Sequence, residues 1–329
     1  MEHASRDADL PAGGGAAAGV AEQGAQAAHV RLGEEFALPP GAELGPDAPL
    51  VESPGPQEAA AAPLGSAAAP AAEAALTGPR RIGAASPPPV TARQVAIVDE
   101  ASGALLYGQD ERARVAPASL TKIATALVAL ERAPDLSRRV VATISGAAMA
   151  ARDGSSIMGL EPGREVSLTT LLYGLMLPSG NDAAEQIALV LGGTREQYVA
   201  WMNEKVAELG LQDTHFVNPS GMDAAGHYAS AYDMALLARA AMQDETFRQL
   251  AGAARYRGDG YTLANLNRLI GSYPGADGVK IGRTRAAGRT IVASASRDGH
   301  RVYVSLMHSQ DLVADSTALF EWAWRTFAW

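Results

Sequence analysis

Residues 278–307 read GVKIGRTRAAGRTIVASASRDGHRVYVSLM. Gly278–Arg283, Thr290–Ser296 and Arg301–Met307 alternate or run apolar, with turns between them, clearest at Arg297-Asp-Gly. Three such runs in succession predict three consecutive antiparallel strands. Far upstream, Gln94–Val98 and Ala104–Gly108 flank an Asp-Glu-Ala-Ser-Gly turn and predict a β-hairpin. What lies between reads mostly as helix. Leu120 to about Arg132 is apolar-periodic, with Ser119 at its mouth, and Arg139–Thr143 is a short strand candidate. Ser167 can cap a helix running through Leu177, and Pro178-Ser-Gly-Asn181 interrupts it before another to about Leu191. Thr194-x-x-Gln197 opens a helix to about Leu209, and Ser230-x-x-Asp233 precedes Leu236–Met242. Leu312–Phe327 closes the chain as a helix. Strands at both ends with helices between imply one sheet assembled from the two ends, covered by a helical middle.

The first 90 residues differ from the rest. They hold thirteen of the nineteen prolines, one aromatic (Phe36), and eleven acids against four arginines. So little bulky apolar surface cannot offset the entropy of ordering the segment. The expectation is a disordered, acidic Ala/Pro/Gly-rich tail over 1–90 and a folded domain over 91–329. The latter is nearly neutral, with 23 basic and 25 acidic side chains, which argues against a nucleic-acid surface. There is no cysteine, so disulfides and thiolate chemistry are excluded. The six histidines lack metal-ligand spacing, so neither a metal nor a cofactor is expected. Glu2, Asp7 and Asp9 stand where an export signal would place positive charge.

Lysine occurs three times, at 122, 205 and 280, against twenty-four arginines (27 less 3). Arginine keeps its proton in proteins, whereas a desolvated ammonium can lose it. A lysine in such a chain is a candidate for chemistry that arginine cannot perform. Ser119 and Lys122 stand three apart at a helix start, on one face, and the apolar neighbours Ile123, Ala124, Ala126 and Leu127 can keep the amine dry. That is a serine nucleophile beside its own base. The plain structural alternative is a capping serine and a solvated lysine. Ser179-Gly-Asn181 lies in the Pro-initiated break, where Ser179 can pass a proton to a leaving amine and the Asn181 amide can hold the substrate backbone; an ordinary helix cap is the alternative. Lys280-Ile-Gly282 sits in a strand. A second ammonium there would depress Lys122 further, polarise Ser179 and attract an anionic substrate. Gly282 would let a substrate backbone approach the strand edge, and the Arg283 N–H could pair with that of Ser119 as an oxyanion hole. An edge lysine that solubilises the sheet is the commoner fate of such a residue. Lys205 reads as a solvated helix residue.

The order Ser-x-x-Lys, Ser-x-Asn, Lys-x-Gly is shared with penicillin-binding proteins and serine β-lactamases. From about residue 93 onward the chain resembles the D-alanyl-D-alanine carboxypeptidases, the low-molecular-mass penicillin-binding proteins. The likeness rests on Ala118-Ser-Leu-Thr-Lys-Ile-Ala-Thr-Ala126, Leu177-Pro-Ser-Gly-Asn-Asp-Ala-Ala184, Phe216-Val-Asn-Pro-Ser-Gly-Met222 and Tyr273-Pro-Gly-Ala-Asp-Gly-Val-Lys280. It implies an α/β (α+β) fold of the β-lactamase/penicillin-binding-protein type, an antiparallel sheet flanked by helices plus a helical subdomain. It implies that Ser119 is acylated with loss of the terminal D-Ala and that water then hydrolyses the acyl-enzyme. Lys122 would accept the proton, with Ser179, Asn181 and Lys280 completing the site. The implied partners are peptidoglycan stem peptides ending in D-Ala-D-Ala, with β-lactams as acylating inhibitors, and the implied location is extracytoplasmic, in the cell envelope or secreted. The acidic tail would then be a spacer behind a missing export signal.

Two departures from the family pattern stand out. Ile281 occupies a position where the family usually places Thr or Ser, whose hydroxyl helps bind the substrate carboxylate. Residues 308–318 contain no arginine, where many members present one. Arg283 and Arg285 flank the motif, and Thr284 offers a hydroxyl. The expectation is hydrolysis with weaker carboxylate recognition and weaker penicillin binding. A DD-endopeptidase, a serine β-lactamase and a catalytically weakened peptidoglycan-binding protein remain the alternatives.

Overall fold

The computed structural model describes residues 50–52 and 78–329. Its centre is a five-stranded antiparallel sheet built from β1 (Gln94–Asp99), β2 (Leu105–Gln109), β3 (Ala276–Thr284), β4 (Gly288–Arg297) and β5 (His300–Ser309), in the order β2-β1-β5-β4-β3. The first hairpin docks through β1 onto β5, so the two ends of the chain do share one sheet, and β3 is left as an edge.

Both faces of this sheet are covered, and the period of two sorts its side chains between them. Val95 and Ile97, Ile291 and Ala293, and Val302, Val304 and Leu306 face one way. They meet Leu319, Phe320, Trp322 and Ala323 of the closing helix α8 (Leu312–Thr326), capped by Asp311. Ala96, Val98, Val292, Tyr303 and Met307 face the larger core beneath the other helices. These are α1 (Lys122–Arg132), α2 (Gly146–Asp153), α3 (Leu168–Met176), α4 (Asn181–Gly192), α5 (Arg195–Glu208), α6 (Ala231–Ala241) and α7 (Glu245–Gly252).

The caps read from sequence hold. Ser167, Thr194 and Ser230 accept from the N–H groups of Thr170, Gln197 and Asp233, each relieving one orphan donor of a helix start. Helices α2 and α7, and a hairpin joining Arg255–Gly258 to Tyr261–Ala264, were not anticipated.

Disorder expected through residue 90 does not extend that far. Arg80–Arg81 pairs with Phe327–Ala328, the Ile82 and Gly83 N–H groups donate to Thr326 O, and Trp322 Nε1 donates to Ala85 O. Backbone groups hold this stretch against α8, so its scarcity of bulky side chains is no obstacle. Leu50–Glu52 lies parallel to Arg255–Arg257. The remainder of the expected tail, 1–49 and 53–77, falls outside the described residues. No helix among the described residues is long and apolar enough to cross a membrane.

Candidate active site

Ser119 sits in a 3-10 turn, Ala118–Thr121, that leads straight into α1, whose first residue is Lys122. Ser119 caps nothing. Its Oγ lies 2.8 Å from Lys122 Nζ. Buried among Ile123, Ala124, Leu127 and their neighbours, Lys122 reaches two further acceptors: Asn181 Oδ1 at 2.7 Å and the Ser220 carbonyl at 2.6 Å.

The side chain of Asn181 is oriented by a chain of hydrogen bonds. Ser155 Oγ donates to Asp153 Oδ1, which spends its hydrogen, so it accepts from Asn181 Nδ2 at 3.0 Å. The amide oxygen is thereby aimed at Lys122. Asn181 was expected to hold the substrate backbone; it lines the cleft, and its amide oxygen also grips the lysine.

Burial drives the Lys122 ammonium well below its ordinary pKa, and the nearby Lys280 lowers it further, against the opposing carboxylates of Asp182 and Glu185. Lys280, also buried, is pushed down to about 7 by desolvation. Its Nζ donates to the Ile281 carbonyl at 3.0 Å.

Ser179 lies in the Pro178–Gly180 break between α3 and α4, with a left-handed φ of 62°. Its Oγ is buried and has no hydrogen-bond partner among the described residues, so the expected polarisation by Lys280 is not made through a direct bond. The break itself is held rigidly. Asp182 accepts from the N–H groups of Met158, Gly159 and Leu160, each at 2.9 Å, and Asn181 N donates to Ser156 O at 2.8 Å.

Strand β3 presses on the nucleophile's turn. A Cβ at Gly282 would stand 2.8 Å from Ser119 N and 3.0 Å from Ala118 Cβ. The glycine therefore admits the Ser119 turn, and it also lines the cleft where the substrate backbone was expected to approach. On the far side, Gly221 packs so tightly that a Cβ there would lie 1.9 Å from Ala118 O. Ser119, Ser179, Asn181, Gly282 and Arg283 all line one cleft of about 570 Å³, and the two lysines are buried behind its wall. Every candidate residue is thus brought together.

Ile281 also lines this cleft, while its side chain joins the buried cluster with Ile291, Leu269 and Tyr273. Thr284 is not available in its place. Its hydroxyl donates to Asp223 Oδ1 at 2.6 Å and accepts from Ala287 N. Three contributors carried no assigned role in the sequence: Ser155, Asp182, and the turn Asn218-Pro-Ser-Gly221. Asn218 Oδ1 accepts from Gly221 N at 2.7 Å and Ser220 N at 3.2 Å, presenting the Ser220 carbonyl to Lys122. Asn-Pro-Ser-Gly is turn chemistry, so this turn was visible in sequence although its target was not.

A family model described as D-alanyl-D-alanine carboxypeptidase matches residues 82–311. D-alanyl-D-alanine carboxypeptidase DacF of Bacillus subtilis is 38% identical over 215 residues, which cover 64% of this chain and 55% of that one. DacB2 of Mycobacterium tuberculosis is 38% identical over 218 residues, 64% of this chain and 73% of that one. The chain thus spans little more than half the length of the Bacillus relative. The solved DD-transpeptidase of Streptomyces K15 superimposes with a TM-score of 0.69 at 28% identity, over 73% of this chain and 100% of that one.

Proposed function

The chain belongs to the D-alanyl-D-alanine carboxypeptidase family, and on that premise we propose that it removes the terminal D-alanine from peptidoglycan stem peptides through an acyl-enzyme on Ser119. The carrying observation is the environment of the Lys122 amine. Of its three partners, the Asn181 amide oxygen and the Ser220 carbonyl can only accept; the Ser119 hydroxyl alone can give a hydrogen. A neutral amine donates its two hydrogens to those carbonyls and points its lone pair at Ser119. Burial and the Lys280 charge favour that neutral form.

Lys122 takes the Ser119 proton as Oγ bonds to the penultimate residue's carbonyl carbon, and the carbonyl oxygen becomes an oxyanion. The Ile281 carbonyl accepts from Lys280 at the cleft, and alternation along the strand turns the Arg283 N–H towards the same edge. With Ser119 N it forms the oxyanion site. Collapse breaks the C–N bond: the departing D-Ala amine takes the Ser179 hydroxyl proton while Ser179 receives the one that Lys122 holds, which returns Lys122 to its neutral form. The Ser179 hydroxyl is uncommitted among the described residues. Water then adds to the ester, Lys122 accepts its proton, and Ser119 leaves with a hydrogen restored.

Two observations favour a peptidase over a β-lactamase that uses a glutamate to activate water. Among the described residues no glutamate lines the cleft, and the two aspartates that do are engaged, Asp153 with Arg152 and Ser155, Asp223 with Thr284 and Ala286. The substrate class locates the protein outside the cytoplasmic membrane, with β-lactams as acylating inhibitors. Intact-mass measurement after incubation with benzylpenicillin tests the reading. A covalent adduct is expected on the wild type and not on Ser119→Ala, together with D-alanine release from an acyl-D-Ala-D-Ala peptide. No adduct and no D-alanine from the wild type would overturn it.

A further inference from the structure

His227 takes no part in the chemistry above, yet it is 6% exposed and lies directly beneath the nucleophile's turn. Its Nδ1 accepts from Val217 N at 3.0 Å. A backbone N–H can only donate, so the imidazole hydrogen sits on Nε2, which faces Thr121 Oγ1 at 2.8 Å. Thr121 in turn gives its own hydrogen to Ala118 O at 2.9 Å. Every donor in this line has one acceptor, and the order of the hydrogens is fixed from Val217 to Ala118.

The two ends of the line matter. Ala118 and Thr121 bound the turn that carries Ser119, and Ala118 holds a left-handed φ of 52°, a conformation that an alanine adopts only under constraint. Val217 opens the segment in which Asn218 shapes the turn presenting the Ser220 carbonyl to Lys122. One imidazole therefore ties the segment that positions the nucleophile to the segment that positions the base.

We propose that His227 is a positioning residue for the Ser119–Lys122 couple, a neutral imidazole clamp between the Ala118–Thr121 turn and the Val217–Met222 segment. The proposal rests on the reading of Ser119 and Lys122 given above. The charged and titratable groups facing His227 are Lys122 from α1, Asp223 just beyond the turn, and His215 from the bridge with Tyr228. Burial, His215 and Lys122 together push the imidazole down to about 4, against the opposing pull of Asp223, which keeps Nδ1 free to accept.

The test compares the rate of Ser119 acylation by benzylpenicillin, read by intact mass, in wild type, His227→Ala, His227→Gln and Thr121→Val. A displacement of about an ångström lowers rates by about 10- to 100-fold, and that loss is expected for His227→Ala and Thr121→Val in folded protein. His227→Gln, whose amide can still donate to Thr121, should recover part of it. Combining His227→Ala with Thr121→Val should cost no more than either alone, because both cut the same line. Acylation within about twofold of wild type for His227→Ala, or fully additive losses, would overturn the clamp. If His227→Ala does not fold, 15N imidazole spectra of the wild type decide: the Nε2-protonated tautomer supports the proposal and the Nδ1-protonated one defeats it. Absence of any acylation in the wild type would instead defeat the reading of Ser119 as nucleophile, and the tautomer would then decide the clamp by itself.

Discussion

At the scale of single residues, position 122 is decided by counting hydrogens. An arginine there could form the same contacts but could not surrender a proton, so Lys122→Arg should lower benzylpenicillin acylation by about 10²–10⁴-fold, the worth of a positioned base, with a native circular dichroism spectrum. Lys280 sets where that base operates. Its charge helps hold the Lys122 pKa down, and Lys122 must be neutral to act. Removing the charge in Lys280→Met therefore favours protonated Lys122. The acid limb of the acylation rate should move to higher pH; an unmoved limb would show that the two amines do not communicate. Ile281 is the residue whose chemistry works against the proposed substrate. It offers no hydroxyl at the cleft, and Thr284 is committed to Asp223. Ile281→Thr should raise β-lactam acylation by at least about tenfold, the equivalent of one hydrogen bond to a charged group. The lost packing against Ile291 should also lower the thermal midpoint. If both kinetic constants and acylation stay unchanged, the carboxylate is recognised without this position.

At the scale of elements, the site is made by four segments brought together: the Ser119 turn, the edge strand β3, the turn ending in Gly221 and the break that carries Ser179 and Asn181. Gly282→Ala would put a methyl 2.8 Å from Ser119 N and 2.7 Å from Thr290 Oγ1. The strand must then retreat, and acylation should drop by about tenfold or more while global stability changes less, as denaturant titration would show. This close fit also explains what could be read in advance. Ser119 and Lys122 were legible because an i, i+3 spacing on a helix start fixes their mutual direction locally. The caps at Ser167, Thr194 and Ser230 and the strands from 276 to 309 were legible for the same local reasons. The orientation of Asn181 was not, since it is set by Ser155 and Asp153, more than 25 residues away in sequence. Nor was the neighbour of Gly282, which only the tertiary approach of the Ser119 turn reveals. Helix α2 hid behind a Gly-Ala start, and the Arg255–Ala264 hairpin is only four residues a side. The order of residues 78–90 comes from backbone bonds to the far end of the chain, which composition does not record.

At the scale of the whole molecule, burying two amines behind the cleft shapes the stability of the fold. Lys280 titrates at about 7 when folded, against an ordinary 10.5, and Lys122 is shifted in the same direction. Between those two values the unfolded chain binds protons that the folded chain has released. Stability must therefore rise with pH across this window, and below the folded value the full penalty applies. The upper bound comes from the tyrosines. Tyr173 and Tyr273 are each raised from 10.0 to about 12 by burial, so above pH 10 the unfolded chain loses protons first and stability turns downward. Urea titrations at steps from pH 6 to pH 10 should show the wild type gaining stability from about pH 7 upward. Lys280→Met removes one of these two lysine contributions. It should exceed the wild type at pH 7 by on the order of a few kcal/mol, with the gap closing towards pH 10. A flat wild-type profile, or a gap that does not change with pH, would mean that Lys280 keeps its proton in the folded protein. A permanently charged Lys280 would then go on depressing the Lys122 amine at every pH, leaving Lys122 as the only one of the two whose protonation governs acylation.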